Sequence, residues 1–203
     1  MLAKVESKGL ECFDFERKRW EVQKFLNSHI VYSNARCVYC PQNKIFVVGG
    51  ITVFNRGVKD VLEWDLEEDY SEECVPSLVK RADMVVGRGR FGLCANEQFL
   101  YVAGGCTLYD RVQTDSVERY TIATDSWETL PPLTRAKNSL VLFEVGSEHL
   151  YGIGGYTSDL AVRSDIEYFN TRSGEHWERI DVEMQSRNEM SARLSVGQIL
   201  VGT

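Results

Sequence analysis

Proline is scarce, with 4 residues in 203, and the 16 glycines are not gathered into any low-complexity tract, which excludes collagen-like and disordered chains. A basic surplus is also missing. With 23 Lys and Arg against 30 Asp and Glu the formal net charge is −7, which argues against binding driven by nucleic-acid phosphates or an anionic membrane. No apolar run nears the roughly 20 residues of a membrane span. Met1 to Leu10 carries Lys4, Glu6 and Lys8 where an export signal needs an unbroken apolar stretch, so a soluble, cytoplasmic protein is expected. The six cysteines are then read as reduced thiols, with no disulfides assigned.

Helical periodicity is lacking as well. Apolar runs of four to six residues rich in Val, Ile, Tyr and Phe, separated by turn residues, predict an all-β fold. Three such runs end in a glycine pair: Ile45 to Val48 before Gly49-Gly50, Phe99 to Ala103 before Gly104-Gly105, and Leu150 to Ile153 before Gly154-Gly155. The pairs are spaced by 55 and 50 residues, and Ile199-Leu200-Val201 before Gly202 continues the series after 48 more. An aromatic step follows each pair, at Trp64, Tyr120 and Phe169, with Phe13 matching near the start. Tryptophans then follow: Trp20 and Trp127 lie 7 residues beyond their steps and Trp177 lies 8 beyond. The unit around Trp64 has no such tryptophan and instead runs through the acidic stretch Glu67 to Glu73, read as a solvated loop.

A period of about 50 residues holding four short strands describes a propeller blade. The units Arg90-Phe91-Gly92-Leu93 to Trp127 and Arg135 to Trp177, with their glycine pairs and Glu-x-aromatic steps, resemble kelch repeats, and the likeness extends over nearly the whole chain. The resemblance implies a kelch-type β-propeller forming a single domain. The repeat phase divides it into an outer half blade (1–33), three whole blades (34–87, 88–134 and 135–186) and an inner half blade (187–203). Two arrangements stay open: the terminal halves share a blade and close a four-bladed ring, or the chain is part of a larger propeller, as most kelch proteins would suggest.

In an up-and-down meander the loop after the second strand and the connection between blades emerge on one face. That face is the expected partner-binding surface. Its candidate residues are Arg36, Arg56, Arg88, Arg90, Tyr109, Arg111, Arg135, Lys137, Tyr156 and Arg187, a set of cations with interleaved aromatics suited to an acidic or phosphorylated peptide. Catalytic signals are weak. Cys37 and Cys40 form the sole CxxC, without a second ligand pair, and positions i and i+3 of a strand face opposite ways. His29, His149 and His176 fall in different parts of the repeat, and no nucleophile is placed beside them. No metal, no cofactor and no catalytic residue are therefore expected.

The reading is a protein–protein interaction module, an adaptor or scaffold, with self-association through open blade edges as a further partner class. The alternatives are an oxidase-like enzyme on a propeller, since some kelch-type propellers bind copper through tyrosines and histidines, and a structural subunit of a large assembly. Relatives of this kind also serve as substrate adaptors of cullin-type ubiquitin ligases.

Overall fold

The computed structural model describes residues 2–6, 9–14, 16–25, 32–67, 77–107, 112–159, 162–180, 191–195 and 198–202. The first sheet holds β1 (Leu2–Glu6), β2 (Gly9–Asp14) and β3 (Arg19–Val22). The first whole blade comprises β4 (Arg36–Cys40), β5 (Lys44–Val48), β6 (Val61–Asp65) and β7 (Val79–Arg81). The second is β8 (Gly92–Ala95), β9 (Phe99–Ala103), β12 (Val117–Thr121) and β13 (Ser126–Leu130), with the short hairpin β10 (Cys106–Thr107) and β11 (Val112–Gln113) rising from its middle loop. The third contains β14 (Val141–Val145), β15 (His149–Tyr156), β16 (Val162–Asn170) and β17 (Glu178–Ile180); β18 (Ser191–Ser195) and β19 (Gln198–Gly202) form the last sheet. Pairing is antiparallel throughout, and among the described residues the only helical element is the 3-10 turn Ile122–Thr124.

Both faces of the first two whole blades are covered, which explains why β5 and β9 are unbroken apolar runs instead of alternating ones. Ile45 and Val47 of β5 pack with Leu10 of the first sheet, whereas Phe46 and Val48 pack with Phe91, Leu100 and Tyr120 of the second blade. Tyr101, Ala103 and Val117 then meet Leu140, Leu142, Phe169 and Trp177 of the third. The tryptophans lock successive blades together as their size suggests. The Trp127 indole N–H donates to the Ala82 carbonyl of the preceding blade at 2.9 Å, and Trp177 donates to Pro131 O at 2.9 Å.

The first sheet has three strands, one more than half of a four-stranded blade, because β1 pairs along β2. Among the described residues no strand pairing joins the first and last sheets. The glycine pairs have a steric reason. Gly49 (φ +60°) and Gly104 (φ +64°) are left-handed, and a Cβ there would lie 2.6 Å from Arg88 O and 2.4 Å from Lys137 O. The crowding thus comes from the entry loop of the following blade and not from the central axis.

Candidate functional site: the loop face

Each blade's entry loop is pinned to its own middle loop, so the two loop sets form one surface. Isolated bridges join Ser33 to Ile51, Gly89 to Cys106 and Asn138 to Tyr156. A second relay runs from blade to blade: the Arg90 N–H reaches Asn34 O at 3.3 Å and the Ser139 N–H reaches Arg90 O at 2.6 Å. Asn34, Arg90 and Ser139 are all left-handed, each at φ +55°, an uncommon state for Arg and Ser that the interblade bonds hold in place.

The bridges also establish which residues are equivalent. Tyr32, Arg88 and Lys137 each precede the bridging residue of their blade, and two of these were expected to grip a partner. The structure corrects that: Arg88 and Lys137 are both 0% exposed. Arg88 pairs with buried Glu118 and donates to Gly104 O at 2.7 Å, Ser116 O at 2.8 Å and Ser116 Oγ at 2.9 Å. Glu118 in turn accepts the Val85 and Val86 N–H groups at 2.7 and 3.1 Å. Burial pulls the Arg88 pKa below its ordinary value while Glu118 opposes the shift. Lys137 Nζ lies 3.1 Å from Glu167 and 3.4 Å from Asp165, both buried. A cation whose donors are all spent internally cannot also anchor a partner. In the first blade Tyr32 and Leu62 occupy the matching positions, so the ionic pair is not repeated there.

The remaining candidates divide by exposure. Arg36 is exposed at the start of β4, Arg56 is exposed in the loop after β5, and Arg90 is exposed with its Nε 3.4 Å from Asn34 Oδ1. Arg135 and Tyr156 are half-buried. Tyr109, Arg111 and Arg187 lie outside the described residues. Arg36, Arg56 and Arg135 form no ion pair among the described residues, whereas Arg19, Lys44, Arg119 and Arg172 all do; Lys80, at the loop end of β7, pairs with Asp60 and Asp83.

The face also carries an apolar component outside the candidate set. Val53 and Phe54, at 91% and 77% exposed, sit on a tight turn held by the Thr52 N–H to Arg56 O, the Asn55 N–H to Thr52 O and the Arg56 N–H to Thr52 Oγ1. Val85 and Val112, each about half exposed, emerge from the same loop sets. Two apolar residues placed directly before Asn55-Arg56 in a turn were the available signal.

Among the described residues no group of three or more His, Cys, Asp or Glu side chains could hold a metal ion. Burial pushes the Cys37 thiol up to about 11 and Cys40 up to about 12, so both stay protonated and unreactive at neutral pH. His149 stacks on Tyr168, His176 is exposed, and His29 lies outside the described residues. No helix of the described residues is long and apolar enough to cross a membrane.

Comparison with known proteins places this geometry. The Kelch motif matches residues 87–134, the span of the second blade. The chain is 26% identical over 145 residues to Kelch-like protein 41b of Danio rerio, covering 71% of this chain and 22% of that one. It is 30% identical over 133 residues to Kelch repeat and BTB domain-containing protein 2 of Ectromelia virus (strain Moscow), covering 64% of this chain and 21% of that one. The chain therefore spans about a fifth of these relatives' length. Among solved structures, that of YjhT superposes with a TM-score of 0.62 at 15% identity, covering 85% of this chain and 52% of YjhT. At that identity the match speaks for the fold alone.

Proposed function

We propose that this kelch-repeat protein is a non-enzymatic, cytoplasmic protein–protein interaction module that engages an acidic or phosphorylated segment of a partner through its loop face. The resemblance to proteins named kelch-like supports the broad reading. The observation that carries the finer one is the contrast in ion pairing. Arg19, Lys44, Arg119 and Arg172 elsewhere on the sheets are matched with carboxylates, while Arg36, Arg56 and Arg135 at the loop face are left with free donors. Unsatisfied guanidinium groups offer paired donors to carboxylate or phosphate oxygens at no cost of breaking an internal bond.

Partner-binding residues in this reading are Arg36, Arg56, Arg90, Arg135 and Tyr156, with Tyr109, Arg111 and Arg187 as further members from the same loops. Arg88 and Lys137 support them from beneath. The adaptor or scaffold role follows from how such modules work, since a rigid loop face can hold one protein while other parts of an assembly act on it. The test is a synthetic peptide array of acidic and phosphorylated sequences alongside the same sequences with Lys in place of the acids. The combined change Arg56→Glu, Arg90→Glu and Arg135→Glu is expected to lower acidic-peptide binding by about a hundredfold with an unchanged melting temperature. Equal retention of acidic and basic peptides by the wild type would reject the reading.

A further inference from the structure

A cavity of about 170 Å³ opens between the innermost strands, lined by Arg36, Cys37, Phe91, Leu93, Val141 and Leu142 among others. Strand register explains its composition. Arg36 pairs with Val48, Gly92 with Ala103 and Val141 with Ile153, each partner standing just before its glycine pair, so Arg36, Gly92 and Val141 occupy the same level on three successive blades. One of these positions carries a guanidinium, one no side chain and one an apolar branch. The result is a single cation set beside apolar walls. Gly92 also draws the strands together, for a Cβ there would lie 2.7 Å from Leu142 Cβ.

Two details fit the cavity for an anion. The Arg36 guanidinium has no hydrogen bond or ion pair among the described residues, and no carboxylate lines the cavity to compete for it. The one other polar lining group, Cys37, is kept neutral by burial and so adds no repelling charge. The walls limit the rest of the ligand: an apolar cavity of about 150 Å³ accommodates a benzene-sized group. The interblade relay through Asn34, Arg90 and Ser139 fixes the backbone beside these strands, so the cavity is preformed.

We propose that this axial cavity binds a carboxylate carried on one benzene-sized apolar group, with Arg36 taking the carboxylate and Leu93, Val141 and Leu142 enclosing the apolar part. The chemistry is shared by a small aromatic acid and by the free C-terminus of a chain ending in Phe. The site shares Arg36 with the surface of the proposed function, whereas its apolar walls Leu93, Val141 and Leu142 belong to the cavity alone, so the cavity-filling variants separate the two readings.

The full chain is titrated calorimetrically with phenylacetate, with phenylethylamine as its cationic counterpart, and with a tetrapeptide ending in Phe as the free acid or the amide. Phenylacetate is expected to bind at least about tenfold more tightly than phenylethylamine, the factor that one charge-assisted hydrogen bond contributes. Arg36→Gln is expected to erase that preference, and Val141→Phe, or Leu93→Phe where the former lowers the melting temperature, to abolish binding by filling the space. A peptide acid that outcompetes phenylacetate, and outbinds its amide, identifies a chain terminus as the source; phenylacetate binding alone identifies a free acid. No phenylacetate binding, or binding indifferent to both Arg36→Gln and the cavity-filling variants, overturns the proposal.

Discussion

Arg88 and Glu118 show how a loop residue can be mistaken for a surface one. Each is fully buried, and each holds backbone groups of the other's loop in addition to the pairing itself. Removing one member leaves a charge stranded in the interior, a loss of roughly 3–5 kcal/mol, whereas replacing both with apolar residues is often near neutral. In the first blade the same two positions are held by Tyr32 and Leu62. Equilibrium denaturation of Arg88→Tyr and of Glu118→Leu should show large losses in each, and the double variant should lose less than the two singles combined. Simple additivity would contradict the pairing. Nothing in the residues themselves separates Arg88 and Lys137 from Arg36 or Arg56, because all lie in polar loops of similar composition. A longer-range signal was present: Arg88 and Glu118 are 30 residues apart, and so are Lys137 and Glu167 (167 − 137 = 30). The Glu of the aromatic step could have been read as the partner of a cation 30 residues earlier, at the entry to the same blade.

At the scale of strands and loops, the boundary between blades is clamped at Asp125. Its Oδ1 accepts the Ala82 N–H of the preceding blade at 2.8 Å and the Tyr120 hydroxyl at 2.7 Å. The Ala82 amide, then the Tyr120 hydroxyl, hold the Asp125 carboxyl below its ordinary pKa. A depressed folded-state value means that the ionised form is the stabilising one. Its contribution is complete above the unfolded carboxylate pKa of about 4 and disappears as the pH falls through the lower folded value. Melting curves from pH 6 to 2 should thus show a loss of stability below about pH 4 that is smaller in Asp125→Asn, and identical pH profiles would remove the clamp. The strands bearing glycine pairs and the tryptophans were legible, because backbone crowding and indole size leave few substitutes. The short β7 was not, since Val79–Arg81 follows an acidic stretch and lacks the tryptophan that marks its counterparts. Likewise β1 has neither glycine pair nor aromatic step to announce it.

For the molecule as a whole, stability is distributed along the blade series and not gathered in one central core. Three apolar clusters occupy the successive interfaces, and each borrows side chains from two sheets. Outer strands contribute little: β7 and β17 are mostly exposed, whereas β5, β9 and β12 are largely buried. Native-state hydrogen exchange should find the slowest amides in β5, β9 and β12 and the fastest strand amides in β7 and β17. Equal protection across all four strands of a blade would mean that the blade opens only as a unit.

Gly50 and Gly105 donate their amides to Arg88 O and Lys137 O, both at 2.9 Å, which ties the start of each blade's middle loop to its successor. The loop face is consequently built in overlapping pairs, and evolution or engineering cannot transplant a single loop and keep its shape. A graft that alters specificity has to carry the adjoining segment of the next blade with it.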